Sequence, residues 1–158
     1  MYDFRLKYVK WLQKFIKVDI YGECGPLSCG SSRNMGNEYK LTSDPCFDLV
    51  NKNYRCYQTY ASLEMFVDLL LDRFYLSFEN AICKDYVTEK IFNALRLNTI
   101  PVVLGGANYS QILPPGSYIN AGKFESPEHL ANFLYSLLRN EELFDAYFAW
   151  RPFYDIHR

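Results

Sequence analysis

A chain of 158 residues is one domain's worth of polypeptide, long enough to bury a core. With 49% hydrophobic and 18% aromatic residues it is globular rather than disordered, and a formal net charge of −1 without a basic run argues against nucleic-acid binding. No apolar run approaches the roughly 18 residues of a membrane span, and Arg5, Lys7, Lys10, Lys14 and Lys17 interrupt the N-terminus, so neither a transmembrane segment nor a signal peptide is expected. The first predicted element is a helix over Asp3–Ile16. Phe4, Tyr8, Trp11, Leu12 and Phe15 recur at intervals of three and four and give it one apolar face, with lysines on the other. Packing on a sheet accounts for all of them, and Trp11, like Trp150, reads as a core anchor. Val18–Gly22 then reads as a short strand.

From residue 22 to about 58 the chain holds Gly, Ser, Asn and Pro with little periodicity, which marks a loop insertion. Cys24, Cys29, Cys46 and Cys56 fall in it and Cys83 stands apart. Disulfides in an oxidising compartment are the expected use. Zinc is the rival reading, but Cys24 and Cys29 are spaced C-x₄-C with no second pair. An odd number of cysteines leaves one thiol over. SLEMFVDLLLDR, Ser62 to Arg73, is helical in pattern, with Asp68 and Asp72 on a solvated face.

Phe74 to Gly106 organises the rest. Phe74, Leu76 and Phe78 alternate with Tyr75, Ser77 and Glu79 in an aromatic-rich strand. Ile100, Val102, Val103 and Leu104 form a second strand closed by Gly105 and Gly106, and Ile91, Ala94 and Leu95 recur between them at helical spacing. Strand, helix and strand make a right-handed βαβ unit with parallel strands, and ligands of such sheets bind at the carboxyl ends of the strands. That edge carries Glu79, Asn80, Asp85, Tyr86, Glu89 and Lys90. Beyond it, Pro114-Pro115-Gly116 signals a turn and Ser117–Asn120 a short strand. Ser126-Pro127-Glu128 opens a helix with Ser at the N-cap, buried through Leu130, Phe133, Leu134, Leu137 and Leu138. A last helix spans Glu141–Trp150. Short strands alternating with helices make one α/β domain over residues 1–158, with a Rossmann-like parallel sheet flanked by helices.

The candidate chemistry lies in DYVTEK, Asp85 to Lys90. With Asp85 as N-cap and Tyr86, Val87 and Thr88 as first turn, Tyr86, Glu89, Lys90 and Asn93 share one helix face. The helix start offers N–H groups and a positive dipole end to an anion. The lysine adds a full charge, the carboxylate suits neighbouring sugar hydroxyls, and the tyrosine suits a base. A solvated Glu-Lys pair is the bland alternative. Absence of GxGxxG and GxxxxGK[ST] argues against a dinucleotide or a P-loop, and no metal site is expected.

FYLSFENAICKDYVTEKIFNAL followed by TIPVVLGGANYSQILPPGSYINAGKF strongly resembles the donor-binding half of the α1,3-fucosyltransferases, most densely over Phe74 to Phe124. The resemblance implies a GT-B glycosyltransferase of which this chain is mainly the C-terminal half, an incomplete chain lacking the acceptor domain and its presumed base. It implies inverting transfer of fucose from GDP-fucose to a GlcNAc-containing glycan acceptor in the Golgi lumen, with no cofactor and no DxD-type metal. Asn80, Tyr86, Glu89 and Lys90 match the family positions that hold the donor. Lys90 would face the diphosphate, Glu89 the ribose or fucose hydroxyls, and Tyr86 and Asn80 would shape the nucleotide pocket. Glu79 matches the FEN glutamate and would face the donor sugar. The family's phosphate-binding arginine falls near Tyr2, leaving Arg5 as the nearby candidate for that contact. The alternative is an inactive GDP-sugar-binding fragment; a flavodoxin-like fold for another anion is a third reading. His129 and His157 have no partner at ligand spacing and read as surface residues. Asn108-Tyr109-Ser110 is a glycosylation pattern at the ligand-facing end of a strand, where the asparagine is either modified or buried and unmodified.

Overall fold

A computed structural model describes residues 3–21, 58–61, 73–97 and 99–156. The four cysteines of the expected insertion, all of the predicted helix at 62–73 but its last residue, and His157 lie outside these residues. Cys83 is exposed and its thiol is free.

The described chain runs α1 (Asp3–Leu12), β1 (Asp19–Tyr21), β2 (Gln58–Ala61), β3 (Phe74–Phe78), α2 (Glu89–Arg96), β4 (Ile100–Leu104), β5 (Ile119–Asn120), α3 (Pro127–Leu138) and α4 (Glu141–Asp145). One five-stranded sheet has the order β1-β2-β3-β4-β5. Its C-terminal half is parallel, β3 with β4 and β4 with β5, as the βαβ pattern requires. β2 lies antiparallel between β1 and β3. This strand sits at the edge of the expected loop insertion, where QTYA offers too short a run to stand out by periodicity.

β3 and β4 are buried along their whole length, as strands covered on both faces must be. Alternation splits their side chains between two layers. Phe74, Leu76, Phe78, Ile100, Val102 and Leu104 face α1, α3 and α4 in the larger core. Val103 packs with Ile91 and Leu95 of α2, and with Trp150, on the other face. Each fully buried aromatic or branched residue contributes about 1.5–3 kcal/mol of transfer free energy. Trp150 is buried as expected, but Trp11 is 51% and Phe4 49% exposed. The helix ends at Leu12 and not at the expected Ile16; its buried face is Arg5, Val9 and Leu12, and Ile16 is buried in the turn that follows. Of the expected apolar face, Leu12 is buried and Tyr8 and Phe15 pack against the core, while Phe4 and Trp11 turn outward because the inner face is centred on Arg5 and Val9.

Helix ends follow local chemistry. Ser126 caps α3, accepting from the His129 N–H at 3.2 Å, with Pro127 in the first turn. Asn140 caps α4 through the Leu143 N–H at 3.1 Å. After α4 the chain tightens into 3₁₀ turns at Ala146–Phe148 and Arg151–Phe153, where a continuous helix to Trp150 was expected. Arg151 lies 4.6 Å over the Phe148 ring and donates to the Leu97 carbonyl, closing the C-terminal end of α2 with a cation. No helix among the described residues is long and apolar enough to cross a membrane.

Candidate functional site

β3 and β4 hold their register to Phe78 and Leu104, and the Glu79 N–H extends the ladder by donating to the Leu104 carbonyl at 2.9 Å. Glu79 is thereby held at the carboxyl edge of the sheet, 4% exposed. Its carboxylate turns to the start of α2. Oε1 accepts from the Thr88 N–H at 2.8 Å, and Thr88 Oγ1 donates to Oε2 at 2.9 Å. Lys90 Nζ donates to the same Oε2 at 3.1 Å. A strand-end carboxylate thus serves as the anion at a helix N-terminus, where the backbone dipole favours one.

This geometry corrects the expected boundary of α2. Thr88, not Asp85, is its N-cap, and Asp85 stands at φ 58° in the left-handed region, which Asp tolerates better than most residues. Tyr86 to Thr88 are extended approach rather than a first turn, so Tyr86 shares no helix face with Lys90. Tyr86 is 36% exposed, Glu89 is exposed on the outer side of the helix, and the Asn93 side chain accepts from Arg96 at 3.0 Å. Of the four residues placed on one face, Lys90 is the one that enters the cluster. The helix start is also less open than expected, because Thr88 already gives its N–H to Glu79. The signal was present in the sequence: Thr88 directly precedes the acidic Glu89, the pattern of an N-cap and first turn.

Arg5 joins the cluster from the other side of the sheet. It is 6% exposed and its Nη1 donates to Asn80 Oδ1 at 2.7 Å. Lys90 Nζ reaches the same Oδ1 at 3.5 Å. Two buried cations therefore converge on one neutral acceptor. Burial pushes the Lys90 ammonium below the usual lysine range, Glu79 pulls it back up, and the Arg5 charge lowers it again. Buried like charges held together are unfavourable by themselves, and an anion beside them relieves the repulsion.

Two residues at this edge escaped the sequence reading. Thr88 is one. The other is Tyr109, 2% exposed, whose hydroxyl is buried without a hydrogen-bond partner; nothing in the sequence separates it from the other tyrosines. Asn108 is exposed, not buried, and accepts from Ser110 Oγ at 2.7 Å. His129 is on the surface, 3.6 Å from Glu125. Among the described residues no three His, Cys, Asp or Glu side chains are grouped to hold a metal. A separate cavity of about 420 Å³ lies beside β5, lined by Tyr118, Lys123, Phe124, Phe133 and Tyr147 among others, and touches none of the cluster.

Known proteins match the chain throughout. Residues 2–158 match the family description "Glycosyltransferase family 10 (fucosyltransferase) C-term". The chain is 42% identical over 144 residues to alpha-(1,3)-fucosyltransferase C of Drosophila melanogaster, covering 90% of this chain and 27% of that protein. It is 39% identical over 150 residues to glycoprotein 3-alpha-L-fucosyltransferase A of the same organism, covering 93% and 24%. Against alpha-(1,3)-fucosyltransferase fut-1 of Caenorhabditis elegans it is 32% identical, covering 96% and 29%. The chain thus spans 24–29% of the length of these curated relatives. A crystal structure of an alpha1,3-fucosyltransferase with GDP-fucose superposes with a TM-score of 0.56 at 19% identity, covering 98% of this chain and 37% of that one; the likeness shows a shared fold. The chain belongs to glycosyltransferase family 10, the fucosyltransferases, and corresponds to its C-terminal part.

Proposed function

We propose that this chain forms the donor-nucleotide half of an α1,3-fucosyltransferase, which transfers fucose from GDP-fucose to a GlcNAc-containing glycan with inversion. The observation that carries this reading is the meeting of Arg5 and Lys90, both buried, on Asn80 Oδ1 at the carboxyl edge of the parallel strands. A diphosphate is the ligand class that neutralises two adjacent cations, and this edge is where open α/β sheets take their ligands. Asn80 sets the spacing of the two cations, and Glu79 with Thr88 fixes the turn from which Lys90 projects. Tyr86, on the exposed approach, and Glu89, exposed at the start of α2, are assigned to the base and to the sugar hydroxyls.

The chemistry follows from that placement. In fucosyl transfer the acceptor oxygen forms a bond to the anomeric carbon as the bond to the diphosphate breaks, and negative charge grows on the leaving phosphate. Cations fixed in a water-poor site stabilise that charge more in the transition state than in the ground state. The base that takes the acceptor proton is assigned to the acceptor-binding part of the enzyme, and the Golgi lumen is the compartment assigned to it.

Calorimetric titration with GDP tests the reading. The wild type should bind, and Lys90→Ala should bind at least tenfold more weakly, as expected for loss of a charge-assisted contact. Thermal denaturation without nucleotide checks that the variant remains folded. No heat from the wild type, or equal affinity in a folded variant, would remove the diphosphate assignment.

A further inference from the structure

Tyr109 opens the 3₁₀ turn that follows β4. Its ring packs in the core layer of Ile91, Val103 and Leu113, and tilts against Tyr118 with centroids 5.9 Å apart. The hydroxyl ends at the backbone of Gly105. A methyl group on Gly105 would lie 2.3 Å from that oxygen and 3.2 Å from Glu79 Cγ. Only a residue without Cβ lets the phenol tip and the Glu79 stem share this spot. Burial, then the Glu79 charge, then Tyr118 hold the phenol up at about 12. It is therefore an O–H donor throughout the physiological range.

A buried donor with nothing to donate to is costly, and such groups in folded proteins call for an explanation. Glu79 supplies one. Its carboxylate is held by Thr88 and Lys90, and Lys90 is the group that a diphosphate would draw away. The carboxylate would then lose its charged donor, with the Glu79 stem and the Tyr109 hydroxyl still meeting at Gly105.

We propose that Tyr109 is a positioning residue of the donor site: when the diphosphate of a nucleotide sugar draws Lys90 from Glu79, the Tyr109 hydroxyl donates to the Glu79 carboxylate in its place. Glu79 then keeps its hold on Thr88, and the first turn of α2 stays where the ligand needs it. Gly105 is the position that makes the exchange possible. The inference rests on the diphosphate reading above.

Titration of the full chain with GDP compares wild type, Tyr109→Phe, Glu79→Gln and the double variant, with nucleotide-free thermal denaturation alongside. Phenylalanine keeps the ring and removes only the unpaired hydroxyl, so Tyr109→Phe should unfold at or above the wild-type temperature. It should nevertheless bind GDP about tenfold more weakly. On the Glu79→Gln background the same change should make little further difference, because the effect runs through that carboxylate. Wild-type affinity in Tyr109→Phe, or an undiminished loss on the Glu79→Gln background, overturns the proposal. Should Glu79→Gln fail to fold, the Tyr109→Phe affinity decides alone. A wild type that does not bind GDP overturns the diphosphate reading and this inference together.

Discussion

Glu79, Thr88 and Lys90 form a buried unit in which each polar atom depends on another. Removing one partner of a buried ion pair typically costs about 3–5 kcal/mol, because the remaining charge stays out of water. The buried tyrosines give the fold an alkaline signature. Tyr109 is held up at about 12 against 10.0 in the unfolded chain, and burial raises Tyr8, Tyr118 and Tyr147 in the same direction. An unfolded chain then loses these protons first, so their contribution is fully present below pH 10 and is lost as pH rises toward about 12. Lys90 acts with the opposite sign. Its lowered value means that the unfolded chain binds the extra proton, so stability rises with pH until about 10.5, where the effect ends. Above that the tyrosines govern. Denaturant midpoints measured between about pH 10.5 and 12 should fall for the wild type and fall less steeply for Tyr109→Phe; parallel slopes would show that Tyr109 is not the buried phenol described.

At the level of elements, the site depends on how closely the loop after β3 packs on the end of β4. Lys84 pairs with Gly106 in an isolated parallel bridge. A methyl on Gly106 would lie 2.5 Å from the Cys83 carbonyl oxygen and 2.8 Å from its carbon. The obstacle is backbone, which cannot rotate aside as a side-chain tip can. Gly106→Ala should therefore destabilise the fold by about 1–3 kcal/mol, the usual range for overpacking. It should also weaken GDP binding, since the shifted loop leads through Asp85 to Thr88. An unchanged melting temperature would show that the loop is free to move away. The VVLGG stretch announced a strand end in the sequence, but not that the loop after the preceding strand lies against it. That contact is set by the parallel register of β3 and β4, which joins residues more than twenty positions apart.

The whole molecule is needed to assemble the cation pair. Arg5 comes from α1 on one face of the sheet, Lys90 from α2 on the other, and Asn80 from the loop at the strand edge between them. A ligand held by all three binds the folded chain and not the unfolded one, so it stabilises globally. GDP at a hundredfold excess over its dissociation constant should add about 2.7 kcal/mol, a rise in melting temperature of roughly 5–10 °C for a chain of this size. Differential scanning fluorimetry with and without GDP checks this, and no shift at saturating nucleotide would exclude a site spanning both faces. Lys90→Ala, binding tenfold more weakly, should roughly halve the shift at the same GDP concentration, because the stabilisation follows the logarithm of the ligand excess.

The sequence by itself determined the βαβ unit, the buried strands, the Ser126 cap and the carboxyl edge as the place to look. Each of these is written in local patterns: alternation, helical spacing, capping chemistry and glycine at a strand end. It also singled out Asn80 and Lys90, through a motif that survives as a contiguous string. Only the tertiary structure decided between Asp85 and Thr88 as the start of α2, set Tyr86 off the helix face of Lys90, and brought Arg5 to Asn80 across 75 residues of chain. It alone brings Tyr109 beside Glu79. Those choices follow from the register of two strands and from which groups burial leaves without water, and neither is a property of neighbouring residues.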